Sequence, residues 1–235
     1  MTELPAIKTP ASERDSWELR ALKVFTRAYA EQQGRILPIL LKADRDDILR
    51  LIGELFDGES DEVQAAVASF MDDLAEAVSA AAFVEAGVSA DPDTVILAIN
   101  QLVDETARIF ATTMSENSRR LTFSIAESWL QTPGATVGDL RKRMRRVWKG
   151  PRPDAAATTE TTRLVARTRL TSWQASGVIW GYDVRTKNDD RVREDHRLIA
   201  AAGPYRLDDL RGMPPINGDI NCRCVISPVV EDPNG

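Results

Sequence analysis

Apolar residues recur every three to four positions through most of the first 150 residues, the period of a helix rather than of a strand. Trp17, Ala21, Val24, Ala28 and Gln32 fall near one face of a first helix, widened by Phe25 and Tyr29. Pro38 is expected to break or bend it, because proline removes a ladder hydrogen bond and its ring crowds the preceding turn. Asp44 and Asp47 mark the start of a short helix bearing Ile48, Leu51, Ile52 and Leu55. Ser60 is a candidate N-cap for the stripe Val63, Val67, Phe70, Leu74, Val78 and Ala81, which Gly87 punctuates. Asp91-Pro92-Asp93 places a capping acid, a first-turn proline and a second acid where the positive end of a helix favours them. The helix it opens carries Ile96, Ile99, Val103, Phe110 and Met114. A further helical stretch from about Arg119 to Leu130 stops before Thr132-Pro133-Gly134. Thr136 with Asp139 resembles a capping pair for a last helix through Leu140, Met144 and Val147. Residues 1–13, with two prolines, read as a loose arm, and residues 1–150 as a whole as an α-helical bundle.

Gly150-Pro151-Arg152-Pro153 is the clearest boundary in the chain. One more helix is expected from about Thr158 to Gly177, and then the period changes. Ile179–Thr186 alternates apolar and polar residues as a strand does, and Val225–Val230 is a second short strand candidate. Between them lie a short helix near Arg193–Ala202 and a loop rich in Gly, Pro and Asp. The fold class is therefore mainly α: a helical region over 1–150, then a small α+β module over 151–235.

Composition closes several routes. No apolar run approaches the roughly 18 residues of a membrane span. Met1-Thr2-Glu3-Leu4-Pro5 has neither the basic start nor the apolar stretch of a signal peptide, so folding in the cytoplasm without membrane contact is expected. The only cysteines, Cys222 and Cys224, are too few for a disulfide scaffold and too close for an unstrained bridge. With one histidine and no G-x-S-x-G, P-loop or H-E-x-x-H motif, neither catalysis nor a small-molecule substrate is expected.

The formal charge of −6 argues against a general affinity for nucleic acid, so any such contact needs a local patch. One exists: Arg141, Lys142, Arg143, Arg145, Arg146 and Lys149 place six cations in nine residues. It suits phosphates or an acidic partner. Equally, it is a solvated face neutralised by the acid-rich stretch Glu54–Glu62.

His196, Cys222 and Cys224 offer imidazole and thiolate, the usual zinc donors, with Asp190, Asp219 or water for a fourth position. A small loop-rich module has little core, and a metal can supply folding free energy that burial does not. The competing reading is two packed thiols and a histidine bonded to backbone. Asp190, Arg191 and Arg193 are suited to ion pairs and hydrogen bonds that hold the loop carrying Asn221, and are equally a solvated helix start. Asn221 itself suits a turn.

Leu164-Val165-Ala166-Arg167-Thr168 is followed by Asp190-Arg191-Val192-Arg193-Glu194-Asp195-His196, then by Pro214-Pro215 and by Asn221-Cys222-Arg223-Cys224 ahead of Pro228. This order resembles the phage Mu protein F-like head morphogenesis family over about 70 residues. The chain departs from the family pattern at Arg169, where an acid is usual. The resemblance implies a phage minor head protein of the virion. It would act with portal and procapsid proteins, with a link to packaged DNA and its delivery. It also implies that Arg167, Thr168, Asp190, Arg191, Arg193 and Asn221 form a structural signature. A DNA-binding accessory protein using residues 141–149 is the alternative, and a metal-dependent hydrolase a third.

Overall fold

The computed structural model describes residues 11–88, 92–149, 152–187, 192–210 and 213–232. Among them are eight helices and one three-stranded antiparallel sheet near the C-terminus, the mainly α architecture with a C-terminal α+β module that the periodicities predict. Most of the expected loose arm, residues 1–10, lies outside the described residues, and helix is already present at Ala11.

α1 spans Ala11–Leu40 and contains Pro38, so the proline neither interrupts the helix earlier nor lets it run far beyond. α2, Ile48–Leu55, buries Ile48 and Ile52. The cap falls on Asp47, three residues after the predicted start at Asp44; its side chain makes no cap bond, and its carboxylate accepts from Arg50 Nη2 at 3.1 Å instead. α3 spans Glu59–Ala86, beginning one residue before Ser60, which therefore sits inside the first turn rather than capping it. Val63, Val67, Phe70 and Leu74 are buried as expected, but the stripe then passes to Ala75, Ser79, Ala82 and Ala86 while Ala81 is exposed. These small residues let the later helix that carries Ser172 and Trp173 approach closely enough for Trp173 Nε1 to donate to Ala82 O and for Ser79 and Ser172 to share a buried hydroxyl bond.

α4 is one helix, Pro92–Leu130, where two were expected. No glycine and no second proline occurs inside it, so nothing compels a break, and its 39 residues extend about 58 Å. Asp91 lies outside the described residues. Ile96, placed on the core face by spacing, is 55% exposed. α5, Val137–Met144, starts at the predicted capping box: the Thr136 hydroxyl accepts from Asp139 N, and Thr136 N donates to the Asp139 carboxylate. The Asp139 carboxylate also accepts from the Thr136 hydroxyl at 2.7 Å, and the two bonds it accepts, the backbone one foremost, hold the carboxyl below its ordinary pKa. The helix ends earlier than Val147, yet Val147 and Trp148 stay buried in the turns that follow.

α6 spans Arg152–Ser176, so Pro153 sits in a first turn, where a missing N–H costs nothing. β1 is Gly181–Arg185, α7 Glu194–Ala202, β2 Tyr205–Arg206, α8 Pro214–Asn217 and β3 Val225–Val229. The sheet order is β2-β1-β3, with Tyr182 opposite both Tyr205 and Pro228. Gly181 is required there, since a Cβ would lie 2.1 Å from Tyr205 O. The open side of β3 is blunted. Arg169 Nη1 occupies Ile226 O at 2.6 Å, and Pro228 has no N–H to offer another strand.

Packing divides the chain into two compact units. One comprises residues up to Ala21, Phe70–Asp104 and Ala155 onward; the other comprises Leu22–Ser69 and Glu105–Asp154. This division differs from a single cut near residue 150. The core of the α+β module, with Trp173, Tyr182, Val184 and Ile226, also takes in Ala82 and Ala86 of α3. In the second unit Phe25 and Phe110 stack at 4.5 Å, and buried Gln32 accepts from Trp148 Nε1 at 2.9 Å.

Candidate metal centre

α7 begins after Arg193, whose backbone is extended, and Glu194 and Asp195 occupy the first turn, where the helix dipole favours acids. His196, next in line, is the buried residue of this helix. The facing wall comes from the turn after α8. Gly218 ends that helix at φ +77°, and Cys222 N bonds back to Asp219 O at 2.9 Å. Asn221 occupies the predicted turn at φ +57°, a conformation asparagine tolerates better than most residues. Beyond it Cys222 and Cys224 flank exposed Arg223 on a segment leading into β3, and alternation along an extended backbone turns both thiols to one side.

The three side chains converge. Cys224 Sγ lies 3.5 Å and Cys222 Sγ 3.8 Å from His196 Nδ1, and all three atoms are within 4.8 Å of one another. Each residue is at most 4% exposed, and neither cysteine is in a disulfide. Such a cluster can hold a metal ion. The other ring nitrogen, Nε2, is 3.0 Å from Asp219 Oδ2. That carboxylate, nearer than Arg193 Nη1 at 3.4 Å, only accepts; a proton on Nε2 donates to it and leaves the Nδ1 lone pair facing the sulfurs, the arrangement that orients histidine toward metals. Hydrogen bonds from the thiol and the backbone N–H of Cys224, with His196 nearby, hold the Cys222 thiol down to about 6, against burial and Asp219. That favours a thiolate.

Asp219 therefore stands behind the imidazole and not among the donors, which corrects its sequence-based place as a fourth ligand. The other candidate for that position, Asp190, lies outside the described residues, as does Arg191. Arg193 donates to Ile220 O at 2.8 Å and reaches Asp219 at 3.7 Å, tying the start of α7 to the turn that carries Asn221. Thr168 is fully buried on α6, and Arg167 beside it is half-buried.

Several supporting residues escaped the sequence reading. Thr162 donates to Cys222 O at 2.7 Å, and Thr159 accepts from Asn221 N at 3.0 Å, so α6 grips the turn at two points. Threonines at i and i+3 on a helix carry no such signal by themselves. Arg169, the departure from the family pattern, is 6% exposed and pairs with Glu85 at 3.2 Å as well as holding Ile226 O.

The basic segment is elsewhere. Arg141, Lys142, Arg145, Arg146 and Lys149 are exposed, while Arg143 is half-buried, 3.4 Å from Ser128 Oγ.

Compared with known proteins, the chain matches no family model, no curated protein and no solved structure. Among the described residues no helix is long and apolar enough to cross a membrane. By fold and site, this is a helical protein whose small α+β module carries a buried cluster of one imidazole and two thiols.

Proposed function

We propose that this chain is a phage minor head protein acting in head morphogenesis beside the portal, and that His196, Cys222 and Cys224 hold a zinc ion that staples its C-terminal module. The observation that carries this reading is the convergence of the C-terminal signature. His196 and the Asn221–Cys224 string lie more than twenty residues apart in sequence yet meet in one buried cluster, backed by Asp219 and Arg193. A clip of this kind presents a rigid surface to portal and capsid subunits.

Zinc fits the donors. Ideal tetrahedral ligation, with Zn–S near 2.3 Å and Zn–N near 2.05 Å, separates nitrogen from sulfur by about 3.6 Å. The separations here are 3.5 and 3.8 Å. One imidazole nitrogen and two sulfurs are donors that a zinc ion takes together. The fourth position falls to water or to a group supplied on assembly. Folding free energy from the ion offsets the small core of the module.

Binding rather than turnover is favoured by burial. The void beside Cys224, lined by Thr162, Val165, Ala166, Val225 and Ile226, is about 20 Å³, room for a water and not for a substrate. The protein's place is then the head, or the host cytoplasm before assembly.

Two measurements test this. Co-expression with the portal and capsid proteins of the same phage should retain the chain in purified procapsids, and deletion should abolish infectious heads; a chain absent from procapsids whose deletion is harmless refutes the head reading. Metal analysis should find about one equivalent of zinc, lost in His196→Ala. Less than about half an equivalent in the wild type removes the zinc half alone. Chelator-sensitive hydrolysis lost in the same variant would replace the staple with a metal-dependent hydrolase.

A further inference from the structure

The six cations of residues 141–149 play no part in the metal cluster, and the structure bears directly on their alternatives. Neutralisation by the Glu54–Glu62 stretch is not what the contacts provide. Glu54 is taken by Arg50 at 2.7 Å, and Glu59 is taken by Arg35 in a two-pronged pair at 2.8 and 2.9 Å. Among the described residues no ion pair engages Arg141, Lys142, Arg145, Arg146 or Lys149. The helix dipole accounts for Arg141, Lys142 and Arg143, which occupy the last turn of α5. It does not account for Arg145, Arg146 and Lys149 beyond the helix.

The strip is also held rigidly. Leu140, Met144, Val147 and Trp148 are all turned inward, Trp148 Nε1 is bonded to Gln32, and Arg152 donates to Val147 O. One acid lies between Val137 and Lys149, Asp139, and its carboxylate is bound into the Thr136 capping box. From Arg141 to Lys149 the surface is thus all charge, with no apolar or aromatic side chain left outside. Protein interfaces place apolar and aromatic residues at their centre and deplete charge there; nucleic-acid interfaces do the reverse. Four of the six cations are arginines, whose planar fork matches phosphate oxygens.

We infer that residues 141–149 form a binding surface for the phosphate backbone of duplex nucleic acid, blind to base sequence. The inference does not depend on the head-protein reading or on a bound metal. With about four phosphates engaged, affinity should fall about 150-fold between about 50 and 200 mM salt.

The test is fluorescence anisotropy of the full chain with labelled duplex DNA of mixed sequence and, in a parallel arm, duplex RNA of equal length. Arg141→Gln/Lys142→Gln/Arg145→Gln/Arg146→Gln should lose at least about 100-fold in affinity and most of the salt slope. The corresponding arginine-to-lysine variant should keep most of it. A control with equal charge loss at exposed Arg20, Arg27, Arg50 and Arg206 should bind nearly as the wild type. The two arms say which duplex is preferred. No binding of either duplex at low salt, or equal binding by the glutamine variant, overturns the inference. So does patch-dependent binding of polyglutamate in place of both duplexes, which would assign the strip to an acidic protein.

Discussion

Asp219→Ala isolates the part of the metal centre that touches no metal. In the native protein its carboxylate accepts from His196 Nε2 at 3.0 Å, fixing the tautomer that aims Nδ1 at both sulfurs. Removal leaves a buried N–H without its acceptor and frees the ring to turn or to take the other tautomer. Losses of such histidine partners cost about 10- to 100-fold in metal affinity. The Asp219 side chain is 38% exposed, so water can partly replace it, which places the expectation near the lower end. That is about tenfold, or about 1.4 kcal/mol. Asp219→Asn retains an oxygen that can accept from Nε2 and should fall between alanine and wild type. Arg193→Gln, which mainly releases Ile220 O, should change affinity less than Asp219→Ala. The assay is competition for zinc against a chromophoric chelator at neutral pH, with a thermal melt of each variant to separate lost affinity from lost fold. If the wild type binds zinc and Asp219→Ala binds it within about a factor of two, the carboxylate does not orient the histidine and the reasoning fails.

Three further outcomes follow from the packing. Gly181→Ala would set a Cβ 2.1 Å from Tyr205 O, so β2 must part from β1; a destabilisation of about 1–3 kcal/mol is expected in denaturant unfolding, and an unchanged midpoint would refute the close approach. Thr136→Ala removes the hydroxyl half of the capping box but keeps the backbone N–H that donates to Asp139; it should cost about 1 kcal/mol and bring the Asp139 carboxyl only part of the way back toward its ordinary pKa, followed by NMR titration. Burial, with Asp209 and Tyr205 nearby, holds the Tyr182 phenol protonated well above the ordinary tyrosine value of 10.0. The unfolded chain gives up that proton first, so stability should decline as pH rises past about 10. Tyr182→Phe should flatten that decline, as alkaline melts would reveal.

What the residues declared in advance was local. The Thr136–Asp139 box, the stop at Gly87, strands within residues 179–186 and 225–230 and a turn at Asn221 each rest on a backbone preference that a few neighbours decide. Where a local cue had a competitor, it lost. Asp47 gave its carboxylate to Arg50 rather than to the helix end, and the punctuation imagined near Arg119 yielded to an uninterrupted α4. The two-residue strand Tyr205–Arg206 has no alternation to read and exists because β1 offers an edge.

The donor types of the metal cluster were legible, since only one histidine and two cysteines occur and the C-x-C spacing alternates onto one face. Their meeting was not. It required α7 to turn His196 inward, α8 to end at Gly218, and two threonines of α6 to pin the turn between them, contacts spanning sixty residues. The sign of Asp219 likewise emerged only in three dimensions, where it faces the far nitrogen of the ring. Periodicity, capping and turn chemistry act over four residues or fewer, so sequence alone determined most of the helical segments, the change of period after about Gly177 and the identity of the donors. Which face of α3 is buried, where Arg169 finds its partners and which side of an imidazole meets which acid depend on packing between distant segments, and the tertiary structure alone decided them.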